Sequence, residues 1–267
     1  MARLILCADD FALSPAISAT IVALAQAGKI NAISCMAACE GWAGDSALLQ
    51  QLPAHVEIGL HLTLTEEAPL TAMPRFAPQG RMPAINPLGR LARQGKLPLD
   101  EIAAEIRAQF DAFRKHTGRA PDFVDGHQHA HALPGIRAIM LAETAHQAPQ
   151  AWIRCCMDQL SAIAARPFKG KAIGSALHSI GLRRAAAEHG LRTNSSFAGH
   201  YGFAGDYAAM FPRFLAKPGD VHLIMCHPGA GVRDDDTIAQ AREVEADALR
   251  RLPIADIARS YGLAFAA

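Results

Sequence analysis

The chain has 267 residues, of which 51% are hydrophobic and 19% are charged, and its formal net charge at pH 7 is +1. The hydrophobic fraction excludes intrinsic disorder, and the even charge balance excludes a strong electrostatic footprint for nucleic acid or an anionic membrane. The length is typical of one α/β barrel, so we expect a single domain over residues 1–267.

The six cysteines form no C-x-x-C pair and lie mostly in apolar runs, which predicts buried thiols in a reducing compartment. The N-terminal apolar run of about five residues is shorter than the roughly 7–15 of a secretory signal. No uncharged stretch is apolar enough to span a membrane. We therefore expect a cytoplasmic protein without nucleic-acid or membrane partners, and a homodimer stays open.

Short apolar runs alternate with helical patterns from the N-terminus onwards. The first run, Arg3–Ala8, predicts a buried strand that the Asp9-Asp10 pair ends. The Ser14-Pro15 pair is typical of a helix N-cap followed by proline at the first helical position. Gly28 is typical of the residue after a helix.

Six more apolar runs predict strands, at Asn31–Ala38, Val56–Leu64, Pro121–His131, Ala151–Met157, Arg192–Phe197 and Val221–Cys226. The stretch Pro121–His131 is expected to run from a strand into a loop. A helix before the fourth strand is predicted to stop at Gly118, and the acids Asp234–Asp236 indicate the start of a helix that Pro253 interrupts. Alternating strands and helices predict a parallel sheet with crossover helices, that is, a barrel-like β/α fold.

The segment 66–98 has a different composition, with six prolines and three glycines. A long segment of this kind inside a compact domain is typical of a lid or a binding loop. We predict a lid here, with a surface insertion as the alternative.

Polar side chains gather near the C-terminal ends of the predicted strands. They are Asp9, Asp10, His61, Asp125, His127, His129, His131, Arg154, Asn194 and His227. In a closed parallel barrel these strand ends form the face that carries the active site. Two histidines and one carboxylate leave positions open on a divalent ion, and a further carboxylate and histidine supply a general base and a general acid. This inventory favours metal-assisted hydrolysis of an amide or ester.

The densest cluster runs from Asp125 to His131. If this stretch is extended, its alternation puts Asp125, His127, His129 and His131 on one side, which is costly in a core without partners or a metal. The other seven histidines have no supporting context and are expected on the surface or on helices; they are His55, His116, His146, His178, His189, His200 and His222.

Five ordered segments resemble motifs of the YdjC/ChbG-like carbohydrate deacetylases and together cover nearly the whole chain. They read LILCADDFALS, GLHLTLTEEAPLTAMP, PDFVDGHQHAHALPGI, TNSSFAGHYGF and CHPG. The chain departs from the family pattern at Ala12, which replaces a glycine, and at Gly126, which replaces a serine. Glu67 stands near a further glycine of the pattern.

The resemblance implies a barrel-like fold related to polysaccharide deacetylases. It also implies removal of N-acetyl groups from amino sugars, such as chito-oligosaccharides, by a metal-bound water. The implied metal ligands are Asp10, His61 and His127, with His131 as the runner-up. The resemblance suggests Mg²⁺, whereas two imidazoles suit Zn²⁺ or another transition metal better.

By the same resemblance, Asp9 is the general base and His227 the general acid. We expect the substrate to be bound by Arg154, Asp125, His129, His131 and Asn194. Arg154 either orients Asp9 or binds a substrate oxygen. Three alternatives stay open: a metal-dependent hydrolase of another acylated substrate, a non-haem iron oxygenase, and a non-catalytic sugar-binding protein.

Overall fold

The structure is a computed structural model, which describes residues 2–231 and 235–266. The strands are β1 Ala2–Phe11, β2 Ala32–Cys35, β3 Glu57–Leu62, β4 Phe123–Gly126, β5 Trp152–Ile153, β6 Arg192–Thr193, β7 Ser196–Ala198, β8 Val221–Cys226 and β9 Leu263–Ala264. The helices are α1 Pro15–Gln26, α2 Trp42–Asp45, α3 Ile85–Arg93, α4 Leu99–Thr117, α5 Ile136–Gln147, α6 Leu160–Ala165, α7 Lys169–His178, α8 Leu182–Glu188, α9 Tyr207–Phe214, α10 Ala239–Arg251 and α11 Ile254–Ser260.

The sheet follows the order β6-β5-β4-β3-β2-β1-β8-β7, and β9 pairs with the start of β1. Every ladder is parallel. The predicted parallel β/α fold is confirmed, and its sheet is a curled half-barrel. Because all strands run the same way, their C-terminal ends meet at one edge of the sheet.

The predicted strand Arg192–Phe197 is wrong, because the structure breaks it into β6 and β7 at the two opposite ends of the sheet. Asn194 lies at this break. Its amide oxygen accepts the N–H of Cys155 at 2.7 Å, and its NH₂ group donates to the carbonyls of Cys155 and Ser196 at 2.8 and 2.9 Å. The Asn194 side chain therefore ties the two ends of the curled sheet together.

The open edge of β7 is covered by a buried ion pair. Asp158 accepts the N–H of Phe197 at 3.0 Å, and Arg166 donates to the carbonyl of Phe197 at 2.9 Å. Arg166 and Asp158 are 2.5 Å apart and almost fully buried. This pair satisfies backbone groups that a neighbouring strand would otherwise bond.

Strand β1 is longer than predicted. Asp9 and Asp10 do not end it, because the strand continues to Phe11. The pairing register with β2 shifts between Ala8 and Phe11, and Asp10 has a φ of 66°. A bulge of this kind re-aims side chains at the end of a strand.

Strand β4 is shorter than the predicted Pro121–His131. It ends at Gly126, and a 3₁₀ turn with left-handed φ values at Gln128 and His129 follows. The stretch is therefore not extended, and the condition under which its polar side chains would share one face is not met. A Cβ atom at residue 126 would lie 2.9 Å from the Cβ of His131, so the folded-back turn requires glycine here.

The segment 66–98 contains α3 and is tied to α4 by buried polar side chains. Glu105 accepts the N–H groups of Leu70 and Thr71 at 3.1 and 2.9 Å. Glu101, one turn earlier, accepts the N–H of Phe76 at 2.9 Å. The start of the segment is therefore packed down on the domain.

The structure also tests the predictions for helix ends, cysteines and histidines. Ser14 caps α1 with Pro15 at its start, α4 ends at Gly118, and all six cysteines are free and buried, as predicted. Asp234 lies outside the described residues, and the helix predicted there begins only at Ala239. Of the histidines predicted on the surface or on helices, His200 and His222 are buried outside any helix, which corrects that expectation. No helix in residues 2–231 and 235–266 is long and apolar enough to cross a membrane.

Candidate active site

A pocket of about 880 Å³ opens where the strands end. It collects side chains from the end of β1, from β3, from the turn after β4 and from the residue after β8: Asp9, Asp10, His61, His127, His129 and His227. A cavity of this volume is typical of a small-molecule site.

Three of these side chains converge on a single point. His61 Nε2 lies 3.4 Å from Asp10 Oδ1, and His127 Nδ1 lies 3.0 Å from the same oxygen. The three donor atoms all lie within 4.8 Å of one another. His131 is elsewhere, with its Nε2 2.9 Å from the carbonyl of Arg154. The structure thus brings together the predicted ligand set and leaves out the runner-up.

The second ring nitrogen of His61, Nδ1, is held by a buried carboxylate. Its Nδ1 lies 2.7 Å from Asp125 Oδ1, and Ser34 donates a hydrogen bond to the same carboxylate oxygen. Burial opposes the charged imidazole, but the carboxylates of Asp125 and Asp10 prevail and raise the pKa of His61 to about 10. A carboxylate behind a histidine in this way is typical of metal ligands.

Two buried arginines hold the tandem carboxylates. Arg154 grips Asp9 with two bonds of 2.6 Å and also lies 2.5 Å from Asp125. Arg242 donates to Asp10 at 2.8 Å and to Asp236 at 2.7 Å. Burial favours the neutral acid, but Arg242 and His127 outweigh it and lower the pKa of Asp10 well below its usual value.

The charges around the site leave room for a cation. Four carboxylates with side chains at most 5% exposed face two guanidinium groups: Asp9, Asp10, Asp125 and Asp236 against Arg154 and Arg242. With His61 neutral, the state in which an imidazole binds a metal, the excess of two negative charges equals the charge of a divalent cation, and buried charge requires compensation. Without a metal, the proton that His61 holds compensates part of this excess. The donor set of two imidazoles and one carboxylate also suits such an ion. The residues present therefore fit a divalent metal.

A second group of possible donors, Cys7, Asp9 and Asp125, does not fit a metal. The guanidinium of Arg154 contacts all three, at 3.2 Å from Cys7 Sγ and at 2.6 and 2.5 Å from the two carboxylates. This cation already fills the space between the donors.

His227 lies beside the candidate metal site. Its Nε2 is 3.9 Å from Asp9 Oδ2, and the ring of Phe203 packs edge-on at a centroid distance of 5.4 Å. Burial lowers the pKa of His227 to about 4. The imidazole is therefore neutral at pH 7, so one of its ring nitrogens carries no proton.

The five predicted substrate-binding residues separate into two groups. His129 lines the pocket, and its ring lies 6.0 Å from that of His200. The other four lie beneath the pocket surface and are at most 1% exposed: Asp125, His131, Arg154 and Asn194.

The sequence analysis did not single out Arg242, Glu245 or His200. Arg242, Glu245 and Leu249 recur at helical spacing on α10, and all three are buried. The spacing of Arg242 and Glu245 in phase with this leucine is the one sequence feature that points to this helix face, and it is a weak signal because charged residues on a helix are usually solvated. His200 follows β7, so its place near a strand end was the corresponding signal.

Comparison with known proteins places the chain in a family. Residues 3–259 match the model described as YdjC-like protein. A chitooligosaccharide deacetylase of Enterobacter sp. (strain 638) is 37% identical over 133 residues, covering 50% of this chain and 52% of the relative. The carbohydrate deacetylase of Mus musculus is 32% identical over 139 residues, covering 50% and 44%. A chitooligosaccharide deacetylase of Salmonella dublin is 29% identical over 229 residues, covering 84% and 81%.

The chain matches about half the length of the first two of these relatives. Among solved structures, a protein of Enterococcus faecalis V583, provisionally described as a cellobiose-phosphate cleavage protein, has a TM-score of 0.72 at 19% identity. The match covers 99% of this chain and 97% of that one and shows a shared fold. With the family match over nearly its whole length, the chain belongs to the YdjC-like protein family.

Proposed function

We propose that this protein is a metal-dependent deacetylase that removes N-acetyl groups from amino sugars such as chito-oligosaccharides. The family match and the names of the relatives support a carbohydrate deacetylase. The observation that carries the proposal is the convergence of Asp10, His61 and His127 beside a second carboxylate, Asp9, in one pocket.

In this proposal, Asp10, His61 and His127 hold the metal. A divalent cation bound there polarises the acetyl carbonyl and lowers the pKa of a water. The two imidazoles favour Zn²⁺ or another transition metal, and the resemblance suggests Mg²⁺.

Asp9 and His227 move the protons. Asp9 takes a proton from the attacking water, and Arg154 fixes both of its oxygens for that task. The proton passes to His227 Nε2, 3.9 Å away, and from there to the nitrogen of the leaving amine as the C–N bond breaks. The products are acetate and a free amino sugar, and each side chain ends in its starting protonation state. Arg154 is thus proposed to position Asp9.

The pocket volume exceeds that of a single sugar ring and supports an oligosaccharide substrate. Residues of the segment 66–98 line its mouth, among them Glu66, Arg81 and Met82. We propose that this segment covers the bound sugar, with His129 among the substrate contacts.

The test is acetate release from N,N′-diacetylchitobiose by metal-stripped protein, with Mg²⁺, Zn²⁺, Mn²⁺, Co²⁺ or Ni²⁺ restored singly. We expect one ion to restore release in the wild type and none to restore it in Asp10→Ala. Asp9→Asn is the matched variant, which should bind that ion in calorimetry yet release no acetate. Release without added metal, or unchanged release by Asp10→Ala, would overturn the proposal.

A further inference from the structure

His227 lies between two carboxylates, with one near each ring nitrogen. Its Nε2 is 3.9 Å from Asp9 Oδ2, and its Nδ1 is 4.0 Å from Glu245 Oε1. The Nδ1 atom is buried and has no hydrogen-bond partner among the described residues. Asp9 lines the pocket, whereas Glu245 is fully buried behind it. Nε2 therefore faces the reaction, and Nδ1 faces the interior.

Glu245 projects from α10 and accepts two short hydrogen bonds. Its Oε2 accepts the backbone N–H of His227 at 2.5 Å, and its Oε1 accepts the hydroxyl of Tyr201 at 2.5 Å. Burial raises the pKa of Glu245 to about 7, against the effect of these two donors. The carboxylate thus fixes the main chain that carries the imidazole and leaves Oε1 close to the ring.

A buried imidazole that shuttles a proton needs two things. One of its nitrogens has to stay protonated, so that the other is free to accept, and the cation that forms in transit needs a nearby negative charge. Asp9 is gripped by Arg154 at both oxygens, so its charge is already compensated. Asp10, which also acts on His227, is paired with Arg242 in the same way. Glu245 is the carboxylate beside Nδ1, at 4.0 Å.

We propose that Glu245 is the positioning residue of His227, accepting its Nδ1–H so that Nε2 relays the proton to the leaving amine. The inference rests on the proposed role of His227 as general acid. During the relay one proton enters and leaves Nε2, while the Nδ1 proton stays on the ring and points at Glu245 Oε1, which has to move closer than the 4.0 Å of this structure to accept it. No other group has to be oxidised, reduced or supplied.

The first test reads the tautomer of His227 directly, without substrate. Long-range ¹H–¹⁵N spectra of ¹⁵N-histidine-labelled protein, assigned with His227→Gln, should show the Nδ1–H tautomer in the wild type. In Glu245→Gln, the amide oxygen is needed by the His227 N–H, so its NH₂ group faces Nδ1 and favours the Nε2–H tautomer. Glu105→Gln, an equally buried change on α4, should keep the wild-type tautomer. An Nε2–H tautomer in the wild type would overturn the inference.

The second test separates positioning from structural damage. Glu245→Gln should lower kcat for N,N′-diacetylchitobiose about 10- to 100-fold with little change in KM. Its rate on 4-nitrophenyl acetate should fall far less, because 4-nitrophenolate leaves without a proton. Equal losses on both substrates, with weakened Zn²⁺ binding in calorimetry, would show a structural role and refute the inference. If the wild type releases no acetate from the amide, the proposed function fails, and the tautomer still decides the role of Glu245.

Discussion

Ala12, two residues after the proposed metal ligand Asp10, has a φ of 75°, which ordinary side chains avoid. Its N–H donates to the hydroxyl of Ser18 at 2.9 Å, so the surrounding structure holds it there. A non-glycine residue in this conformation carries about 1–2 kcal/mol of strain. The family pattern has glycine at this position, so the strain belongs to this chain.

We expect Ala12→Gly to be nearly neutral for stability, because relief of the strain offsets the lost methyl burial and the added backbone freedom. Ala25→Gly is the matched control, since Ala25 is equally buried but lies in α1. That change should cost about 1.5–2 kcal/mol. Urea unfolding measures both, and equal losses would show that Ala12 is unstrained.

His222 lies in β8, away from the pocket, and it carries a pH-dependent share of the stability. Its Nδ1 is 2.7 Å from Ser196 Oγ and its Nε2 is 3.0 Å from the carbonyl of Phe214. Burial lowers the pKa of His222 to about 4. Between pH 6.5 and pH 4, His222 is protonated in the unfolded chain and neutral in the folded chain. The free energy of unfolding therefore falls as the pH drops from 6.5 towards 4.

The loss assigned to His222 reaches about 3 kcal/mol at pH 4. We expect His222→Gln to flatten the dependence of unfolding free energy on pH between 4 and 6.5 by about one proton. The exposed His189→Gln is the control. Parallel curves for the wild type and His222→Gln would contradict the prediction, and chemical denaturation at several pH values measures them.

The candidate ligands were predictable from the sequence for a local reason. Asp10, His61 and His127 each lie near the end of an apolar run, and parallel strands bring such ends to one edge. Arg242 and Glu245 were not predictable in this way, because charged residues on a helix are usually solvated. Arg242 is buried against Asp10, more than 200 positions earlier in the chain, and Glu245 is buried against Tyr201 and the backbone of His227.

At the scale of elements, α4 anchors the segment 66–98 through a row of polar side chains one turn apart. Glu101, Glu105 and Gln109 are at most 8% exposed, and Gln109 also donates to Glu105 at 2.8 Å. Each backbone N–H that they accept would otherwise be satisfied by water. The row therefore fixes where the mouth of the pocket lies.

We expect Glu105→Ala to loosen this anchor, because the N–H groups of Leu70 and Thr71 lose their acceptor. Their amide hydrogen exchange should quicken at least about tenfold, which corresponds to about 1.4 kcal/mol, with a stability loss of about 2–4 kcal/mol. Asp100→Ala on the same helix changes an exposed side chain and should leave both rates unchanged. Unchanged exchange in Glu105→Ala would show that packing alone holds the segment.

The bounds of an element were predicted correctly where a hydrophobic pattern sets them. They were predicted incorrectly where the backbone conformation or a distant contact sets them. β8 was predicted at its observed bounds, because a buried strand is a continuous apolar run. The end of β4 at Gly126 was not predicted, because Gln128 and His129 adopt left-handed backbone angles that neither residue type indicates in a sequence. The break between β6 and β7 was missed, because Asn194 bonds to Cys155, a partner far away in the sequence.

At the scale of the molecule, the alternation of strands and helices predicted a parallel sheet, but it contains no information on strand order. The order is fixed by side chains at the two ends, where Asn194 and the Asp158–Arg166 pair replace the missing ladder between β6 and β7. The bonds that join Asn194 to Cys155, and Phe197 to Asp158 and Arg166, span 31 or more positions, so no local sequence pattern predicts them.

We expect Asp158→Ala to destabilise the whole sheet by about 3 kcal/mol, because it leaves Arg166 buried without its counter-charge and the N–H of Phe197 without an acceptor. Glu188→Ala breaks the exposed pair with Arg184 and should cost under about 0.5 kcal/mol. Thermal or urea unfolding compares the two variants. Similar small losses would show that the pair does not secure the open edge of the sheet.

Two parts of the chain that are more than 200 positions apart meet in the candidate active site. The tandem carboxylates stand at residues 9 and 10, while Arg242, which holds one of them, lies in α10. During translation, the two carboxylates are synthesised long before Arg242. During synthesis, Asp10 therefore lies beside His61 and His127 before its arginine from α10 has been made. A nascent chain that stops before this helix has Asp9 held by Arg154 but lacks the arginine that holds Asp10, so we expect it to bind a divalent ion more weakly than the full chain.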